Sequence, residues 1–397
     1  MSAAPMRIVL TCLPYYSHLV PVVVPVAHAL RRAGHTATVA TAPAMAAELA
    51  RHGVEHLPLP NVRTLEELLA DPAFLTGPGM PGAEGEGAEE TARAREDPGP
   101  LTKAFAGPMA GTFARDLIAA AADWRPDVIV RECNEFGGYL AAERLGLPRA
   151  VLDIAPYSCA HLPFLRNTLN KQLDELGLAP SDDPWEPNAG LLAAVVPAAW
   201  YPERLRVSSL RSYRPNPAAP QGFPVHAEQP MVLAGLGTVA HTVVPEAPRL
   251  LAAMVAALGE LPCNGVVSLG PALQTWSGPR PANVRLVSFA PQREILGRAA
   301  LFLSHGGFGS VHEAVQAGTP MVNLPLFADQ PDNARRVTEL GLGLHVDPAA
   351  ATPEALADAA GRVLADGGFR RRAAELARQS REAPGFDVLA ADLAALA

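Results

Sequence analysis

The chain has 397 residues, of which 49% are apolar and 18% charged, so it contains enough apolar material for two or three packed domains and is not disordered. It carries 32 basic and 40 acidic residues, and this net charge of −8 offers no basic field for nucleic acid or an anionic membrane surface. The four cysteines lie far apart without a C-x-x-C pair, which argues against a disulfide framework or a zinc site.

The N-terminal third alternates short aliphatic runs with longer helical patterns, which is typical of βαβ units around a parallel sheet. We predict the first strand at 7–12 and a helix at 19–33 that ends at Gly34. Pro25 is expected to kink this helix, because a proline inside a helix removes a backbone hydrogen bond. Further elements are predicted in this order: a strand at 37–41, a strand at 128–131, a helix at 136–145 and a strand at 150–154.

The stretch from Leu19 to Leu30 is the most apolar part of the chain, yet it contains two prolines and a histidine. It falls short of the roughly 18 uninterrupted apolar residues that indicate a membrane span. Arg7 alone supplies positive charge ahead of it, which is too little for the basic region of a secretory signal. We therefore expect a cytoplasmic protein that has no membrane partner.

Two irregular stretches interrupt the alternation of strands and helices. Residues 76–100 are rich in Gly, Pro and Glu and lack an apolar face, so we predict a long mobile loop there. Such a loop fits a lid or binding segment about as well as it fits tolerated disorder. The stretch 208–230 contains five prolines and is predicted to be the interdomain linker, so that the N-terminal domain comprises residues 1–207.

The alternation resumes after the linker and predicts a second α/β domain at 231–380, followed by a C-terminal helix within 381–397. Two similar α/β halves joined by a linker are expected to place a cleft between them. Strands are predicted at 231–234, 265–268, 284–287, 300–303, 321–324 and 344–346, and helices at 248–258, 309–317, 332–340 and 386–397.

The segment LFLSHGGFGSVHE in the second domain combines an apolar strand, a glycine-rich turn and a helix start. Gly306, Gly307 and Gly309 let the backbone turn tightly, so that amide groups and the positive end of the helix can face an anion. His305 and Ser310 can add hydrogen-bond donors to the same place. The pattern predicts a diphosphate site, although taken alone it also fits an ordinary strand-to-helix turn.

The run continues as EAVQAGTPMVNLPLFADQPDNA, and the complete pattern H-G-G-x-G-[ST]-x-x-E-A-x-x-x-G-x-P…D-Q…N-A resembles the donor-binding signature of family 1 glycosyltransferases. Two further segments, GLGTV at 235–239 and SFAPQ at 288–292, resemble that family in order and spacing. The resemblance implies the α/β GT-B fold, in which two Rossmann-like parallel-sheet domains face each other across a cleft. Within the family, the chain resembles the actinobacterial branch that attaches deoxysugars to polyketides and related natural products.

The resemblance assigns the diphosphate of a nucleotide-sugar donor to four residues. His305 matches the histidine that contacts the diphosphate, and Ser310 with the amides at the helix start would supply further phosphate donors. Gly237 and Thr238 would line the opposite side of the diphosphate.

The same resemblance assigns the rest of the donor. Pro291 and Gln292 belong to the segment that frames the nucleobase, and Glu313 matches the position that often holds the ribose hydroxyls. Asp329 and Gln330 match the pair that hydrogen-bonds the transferred sugar. Taken singly, Glu313 also fits a solvated carboxylate in the first turn of a helix, and the Asp-Gln pair also fits helix capping.

In the N-terminal half, the segment SHLVP falls where the family has G-H-x-x-P, with Ser17 in place of the usual glycine. We expect His18 to be the catalytic base, although a histidine that caps or packs against the helix start is the structural alternative. Such a base needs a carboxylate on its other ring nitrogen. Glu132 and Glu135 both follow the strand at 128–131, and we favour Glu132 because it lies immediately at the strand end.

These roles imply an inverting, metal-independent glycosyl transfer to a small-molecule acceptor. The donor is expected to be a nucleotide sugar, linked to TDP, and the acceptor a natural product such as a polyketide or aromatic aglycone; no separate cofactor is expected. We place the acceptor near Tyr15 and Tyr16, although these aromatic side chains fit ordinary packing equally well.

Two other classes of protein stay open. An epimerase or hydrolase with the GT-B fold would use the same phosphate site and act on the donor alone. A non-catalytic auxiliary protein would not need the complete donor-binding block that this chain carries. A monomer and a weak homodimer are both compatible with the sequence.

Overall fold

The structure of the chain is a computed structural model that describes residues 4–71, 99–215, 222–223 and 229–396. It divides into two compact units: the first comprises Met1–Asn216 with Pro384–Ala397, and the second comprises Pro217–Ala383. The loop predicted at 76–100 lies outside the described residues except for its last two positions, which begin the helix Gly99–Ala106.

Within the described residues, the first unit contains one sheet of seven parallel strands: Arg7–Thr11 (β1), Thr36–Thr41 (β2), Glu55–Pro58 (β3), Val128–Glu132 (β4), Arg149–Asp153 (β5), Leu191–Ala194 (β6) and Leu210–Ser212 (β7). Their order is β3-β2-β1-β4-β5-β6-β7. The central strands are apolar and buried because a parallel sheet is covered on both faces.

Among the described residues, the α-helices that precede the C-terminal helix of the first unit are Tyr16–His18 (α1), Val24–Arg32 (α2), Ala46–Arg51 (α3), Leu65–Leu69 (α4), Gly99–Ala106 (α5), Pro108–Trp124 (α6), Gly137–Leu145 (α7) and Leu162–Glu175 (α8). Short 3₁₀ helices lie at Pro43–Met45, Ser158–His161, Glu186–Asn188, Ala198–Trp200 and Glu203–Leu205.

The first helical segment differs from the prediction at 19–33. It begins at Tyr16, and a π-helical stretch at Leu19–Val23 connects α1 to α2. In this wider turn the amide of Val24 donates to the carbonyl of Leu19. Pro25 follows directly and has no N–H with which to continue an α-helical ladder, so the chain widens its turn where a kink was expected.

Within the described residues, the second unit contains one sheet of six parallel strands: Met231–Gly235 (β8), Asn264–Ser268 (β9), Val284–Val287 (β10), Leu301–Ser304 (β11), Met321–Asn323 (β12) and Gly343–His345 (β13). Their order is β10-β9-β8-β11-β12-β13.

The helices of the second unit are Ala240–Val243 (α9), Ala247–Gly259 (α10), Gln292–Leu296 (α11), Phe308–Ala317 (α12), Gln330–Glu339 (α13), Pro353–Ala365 (α14) and Gly367–Glu382 (α15), with 3₁₀ turns at Gly270–Thr275 and Pro348–Ala350. The apolar sides of α10 and α14 pack together over one face of the sheet.

The C-terminal helix Phe386–Ala394 (α16) belongs to the first unit, where it packs against α2 and β6. Its buried face consists of Phe386, Leu389, Ala390 and Leu393. The stretch 208–230, predicted as a linker, begins inside this unit, because its residues 210–212 form the edge strand β7.

Both sheets have the strand order of a doubly wound Rossmann-like fold. The chain leaves the central strand in one direction and returns on its other side, so a crevice opens at the carboxyl ends of two neighbouring strands. In the first unit these strands are β1 and β4, and in the second they are β8 and β11. Ligands of such folds bind at these points, so functional side chains are expected in the four loops after these strands.

Candidate active site

The loops after β1 and β4 bring an imidazole and a carboxylate together. Nδ1 of His18 lies 3.2 Å from Oε1 of Glu132, and the amide of Asn134 donates to the other carboxylate oxygen at 2.8 Å. The Glu132 side chain is fully buried, whereas 22% of the His18 side chain is exposed. His18 makes no side-chain capping bond to the helical segment that follows it. This arrangement can hold Nδ1–H on Glu132 and leave Nε2 as a proton acceptor.

Glu135, the alternative carboxylate, has different partners. Its carboxylate accepts a hydrogen bond from the Thr11 hydroxyl, and its Oε1 and Oε2 lie 3.0 and 2.9 Å from the Gly138 amide, which donates to both. Burial raises the pKa of Glu135 to about 7, although the hydrogen bonds from Thr11 and Gly138 oppose this shift. Of the two carboxylates, the structure therefore brings Glu132 to His18.

The two tyrosines before His18 lie in different environments. The Tyr15 ring meets the His18 ring edge-on with 5.2 Å between the centroids, and it lies 6.1 Å from the Phe105 ring. Among the described residues its buried hydroxyl has no hydrogen-bond partner. Burial and the nearby Glu132 carboxylate raise the pKa of Tyr15 above its ordinary range. Tyr16 is exposed on the surface. Tyr15 is thus a wall of the His18 site, while Tyr16 is available to solvent.

Arg131 is a residue of this region that sequence reasoning missed. Its guanidinium is fully buried and donates to the carbonyl oxygens of Glu132, Cys133 and Glu135 at 3.2, 2.9 and 3.2 Å. It also donates to the carbonyl of Pro187 at 2.8 Å. The signal in the sequence is a charged residue within the apolar strand VIVRE, since a buried parallel strand carries such a residue only when it is paired.

In the second unit, the imidazole of His305 occupies a space that two glycines leave open. A Cβ atom on Gly237 would lie 2.6 Å from Cε1 of His305, and one on Gly307 would lie 2.5 Å from Nε2. Gly237 has a φ of +73°, which other residues rarely adopt. Burial lowers the pKa of His305 to about 4, so the ring is neutral at physiological pH. Among the described residues, Nδ1 of His305 has no hydrogen-bond partner.

The turn after β11 is fixed from behind by buried polar side chains. Gly306 has a φ of +79°, its amide donates to the Ser304 hydroxyl at 3.1 Å, and its carbonyl accepts from Nδ2 of Asn333 at 3.0 Å. The Ser304 hydroxyl in turn bonds to Asn323 at 3.0 Å. Asn333 belongs to the sequence pattern, which gives it no role of its own; the structure shows that its side chain holds the glycine turn in shape.

Three of the predicted site residues, Gln292, Ser310 and Glu313, lie together at the start of the helix that follows this turn. Nε2 of Gln292 donates to Oε2 of Glu313 at 2.8 Å and lies 3.4 Å from the Ser310 hydroxyl. Nε of Arg293 lies 3.7 Å from Oε1 of Glu313. Burial raises the pKa of Glu313, and Arg293 and Gln292 oppose this shift. Glu313 is therefore not a solvated carboxylate. Gly309 follows the turn, and a Cβ atom built on it would meet no atom within 4 Å.

The remaining predicted residues flank these loops. Oδ2 of Asp329 accepts from Asn333 at 2.7 Å, without a capping bond to the helix backbone. Oε1 of the buried Gln330 accepts from the amides of Leu326 and Phe327 at 2.8 and 3.1 Å, so it shapes the loop before α13. Thr238 is exposed directly after Gly237, and Pro291 precedes α11.

In the described part of the chain, no group of three or more His, Cys, Asp or Glu side chains is arranged to hold a metal ion. None of the helices in this part is long and apolar enough to cross a membrane.

Solved structures similar to this one cover nearly the whole chain. The glycosyltransferase SnogD from Streptomyces nogalater aligns with a TM-score of 0.76 and 24% identity over 99% of this chain and all of that one. The calicheamicin glycosyltransferase CalG4 aligns with a TM-score of 0.77 and 24% identity over 99% and 98%. The glycosyltransferase VinC, solved in complex with dTDP, aligns with a TM-score of 0.76 and 22% identity over 98% and 99%. These likenesses show that the chain has the GT-B fold.

Relatives found by sequence also align with most of this chain. Tylactone mycaminosyltransferase from Streptomyces fradiae is 27% identical over 93% of this chain and 87% of its own length. The 4'-demethylrebeccamycin synthase from Lentzea aerocolonigenes is 27% identical over 93% and 94%.

Two family models, for the N-terminal and C-terminal domains of erythromycin biosynthesis protein CIII-like proteins, match residues 28–200 and 252–396. Together they span most of the chain, which belongs to this EryCIII-like family and is a glycosyltransferase. The predicted resemblance to actinobacterial natural-product glycosyltransferases is thereby confirmed.

Proposed function

We propose that the chain transfers a deoxysugar from a TDP-linked donor to a natural-product acceptor, such as a polyketide or aromatic aglycone, with inversion at the anomeric carbon. The contact between His18 and Glu132 carries this proposal, because a buried carboxylate on Nδ1 prepares Nε2 to accept a proton. The acceptors and the TDP complex named for relatives and solved structures support the choice of substrates.

In the proposed reaction, the acceptor oxygen attacks the anomeric carbon of the donor sugar while the bond from that carbon to the diphosphate oxygen breaks. The acceptor proton passes to Nε2 of His18, and the imidazolium that forms is stabilised by Glu132 on Nδ1. Attack from the face opposite the leaving group produces inversion.

Negative charge grows on the departing diphosphate, and the second unit offers donors for it. The N-terminal end of α12 carries a positive partial charge, and Gly309 leaves open space beside it. His305 is neutral and has one ring nitrogen without a partner among the described residues, so it can donate one hydrogen bond without adding a full charge. We propose that these groups stabilise the leaving group without a metal ion.

Glu313 and Asp329 are proposed to position the rest of the donor. The Glu313 carboxylate is held by Gln292 beside Ser310, where it can accept hydrogen bonds from ribose hydroxyls. Asp329 has one carboxylate oxygen on Asn333, which orients its side chain toward a fixed position for a sugar hydroxyl.

Calorimetric titration of the purified chain with TDP, UDP and GDP tests the donor assignment. We expect TDP to bind at least about tenfold more tightly than the other two, a difference of about 1.4 kcal/mol, and we expect His305→Ala to lose this binding. His345→Ala is the matched control, because His345 lies on the edge strand β13, is exposed and bonds to Thr338 at 3.0 Å. If none of the nucleotides binds the wild-type chain, the donor assignment fails.

A second measurement separates transfer from the other reactions of such a site. The chain is incubated with TDP-deoxysugars and a panel of polyketide and aromatic aglycones, with and without EDTA, and the products are analysed by mass and NMR. We expect a glycoside of inverted anomeric configuration and no effect of EDTA. Release of free sugar or an altered donor with every acceptor would instead indicate a hydrolase or an epimerase.

A further inference from the structure

We infer that Glu135 and Thr11 are positioning residues that keep the side chains of His18 and Glu132 within hydrogen-bonding distance of each other. This inference rests on the proposed function of the pair. His18 follows β1 and Glu132 ends β4, so their distance depends on how two separate loops are held against each other. The Thr11–Glu135 hydrogen bond connects these two loops.

Backbone pairing alone does not hold the loops together beyond the strand ends. The register of β1 with β4 ends at the pair Thr11–Arg131. Beyond this pair, the amide of Cys12 donates to the carbonyl of Ala40 on β2, and the amide of Cys133 donates to the carbonyl of Leu152 on β5. The backbone pairing of β1 with β4 therefore ends before His18 and Glu132, whose side chains have to meet.

The Glu135 carboxylate connects the end of β1 to the turn after β4. It accepts from the Thr11 hydroxyl at the end of β1 and from the Gly138 amide at the start of α7. The Glu135 amide in turn donates to the Glu132 carbonyl at 3.1 Å, which closes the turn that carries the proposed partner of His18. One buried side chain thus fixes the end of β1, the turn after β4 and the first turn of a helix relative to one another.

The surroundings leave this bridge little freedom. A Cβ atom on Gly138 would lie 2.4 Å from the Thr11 hydroxyl, and one on Gly137 would lie 2.5 Å from Cβ of Phe113. On the other side, Arg131 binds three carbonyl oxygens of the turn. Because a hydrogen bond weakens steeply as its geometry worsens, a shift of about 1 Å at this bridge would separate His18 from Glu132.

The tautomer of His18 reports this positioning without any substrate. A Glu132 carboxylate in contact with Nδ1 favours the form that carries its proton on Nδ1. We would measure the ratio of the two neutral tautomers at alkaline pH from the ¹⁵N chemical shifts of histidine-labelled protein. The signal of His18 is identified by its loss in His18→Gln.

Glu135→Gln and Glu135→Leu form a matched pair, because both remove the charge and only the first retains hydrogen bonds. The glutamine amide can donate to the Thr11 oxygen while its carbonyl accepts from Gly138. We expect the wild-type tautomer ratio in Glu135→Gln and a decrease of about fivefold or more in Glu135→Leu, as in Glu132→Leu. Thr11→Val is expected to decrease the ratio as well, and Thr11→Ser to restore it, which covers the case in which Glu135→Leu does not fold.

The possible failures are distinguishable. If Glu135→Leu and Thr11→Val retain the wild-type ratio while Glu132→Leu loses it, the positioning inference is wrong and the proposed pair stands. If His18 of the wild-type protein carries its proton on Nε2, or if Glu132→Leu changes nothing, the proposed pair itself fails, and the positioning inference fails with it.

Discussion

Nδ1 of His18 lies 3.2 Å from Oε1 of Glu132, although 114 positions separate the two residues in the chain. The strand order explains this contact, because β1 and β4 are neighbours in the sheet and their carboxyl ends meet at the same edge. Glu132 also accepts from the Asn134 amide, so its carboxylate is fixed before any substrate arrives. A pair built in this way has its orientation set by the fold, which is what a general base requires.

His18→Ala is expected to lower turnover by about 10²–10⁴-fold, the usual contribution of a positioned general base. The affinity for TDP should stay unchanged, because the proposed diphosphate donors lie in the other unit. Turnover is measured as the rate of glycoside formation, and TDP affinity by calorimetry.

The control for this variant is His52→Ala. His52 lies in the same unit and also pairs with a carboxylate, Glu48, at 3.1 Å. We expect this variant to turn over at the wild-type rate. Full activity in His18→Ala would show that His18 is a structural residue.

Much of the fold could be predicted from the sequence, because buried parallel strands consist of short runs of apolar residues. The strands predicted at 128–131 and 284–287 lie within one residue of those observed, and Gly34 follows the first long helix with a φ of +92°. The strands β3, β6 and β7 are absent from the prediction, and β7 lies in the stretch predicted as a linker. β3 contains His56 and a proline, and β6 is a run of four small or aliphatic residues without a distinct signal.

The site was predictable where a side chain would face a ligand and unpredictable where a side chain faces the protein. His305 and Glu313 stand in a pattern that a known family shares, so their places could be expected. Arg131 and Asn333 act by binding backbone carbonyls, and only the folded chain shows which carbonyls these are. The choice between Glu132 and Glu135 likewise required the geometry of a four-residue turn.

Gly307→Ala and Gly309→Ala are expected to have opposite effects. A Cβ atom on Gly307 would collide with the His305 imidazole, so this variant should lose about 1–3 kcal/mol of stability. Gly309 lies in a helix and its Cβ would meet open space, so alanine should preserve or raise the melting temperature. If the diphosphate occupies that space, the alanine side chain should weaken TDP binding about tenfold even though the protein is as stable as the wild type.

Thermal unfolding and calorimetric titration of both variants check these expectations. Unchanged TDP affinity in a stable Gly309→Ala protein would place the diphosphate elsewhere. An unchanged melting temperature in Gly307→Ala would mean that the His305 ring can move aside.

Glu135 should make the stability of the first unit depend on pH. Burial raises its pKa to about 7 in the folded chain, whereas a glutamate in the unfolded chain has a pKa of about 4.3. Between these two values the unfolded chain has released a proton that the folded chain retains, so stability falls as the pH rises. The contribution of Glu135 to the free energy of unfolding is complete below the pKa of the unfolded glutamate and is lost by about pH 7. The free energy of unfolding changes by about 2–4 kcal/mol across this range.

Glu135→Gln removes this titration and leaves the neighbouring charges of Arg131 and Glu132 in place. Hydrogen exchange of the β1 and β4 amides, compared between variant and wild type at each pH, cancels the intrinsic pH dependence of exchange. We expect the variant to gain stability relative to the wild type across this window. Parallel curves would show that Glu135 titrates as an ordinary carboxylate.

Asn333→Asp is expected to destabilise the second unit by about 3 kcal/mol. Nδ2 of Asn333 donates to the Gly306 carbonyl and to Oδ2 of Asp329, at 3.0 and 2.7 Å, and the residue is fully buried. An aspartate would place an acceptor against both of these acceptors and would bury a second carboxylate beside Asp329. The loss should appear as a lower denaturation midpoint of this unit, with weaker TDP binding because the Gly306 turn loses its support.

A double-mutant cycle with Asp329→Asn isolates the pairwise part of this effect. In the double variant, the new amide at position 329 can donate to the new carboxylate at position 333, which restores one of the two lost hydrogen bonds. We expect it to recover about half of the lost stability, while the Gly306 carbonyl stays without its donor. A double variant that is no more stable than Asn333→Asp would show that the contact with Gly306, and not the pair with Asp329, accounts for the role of Asn333.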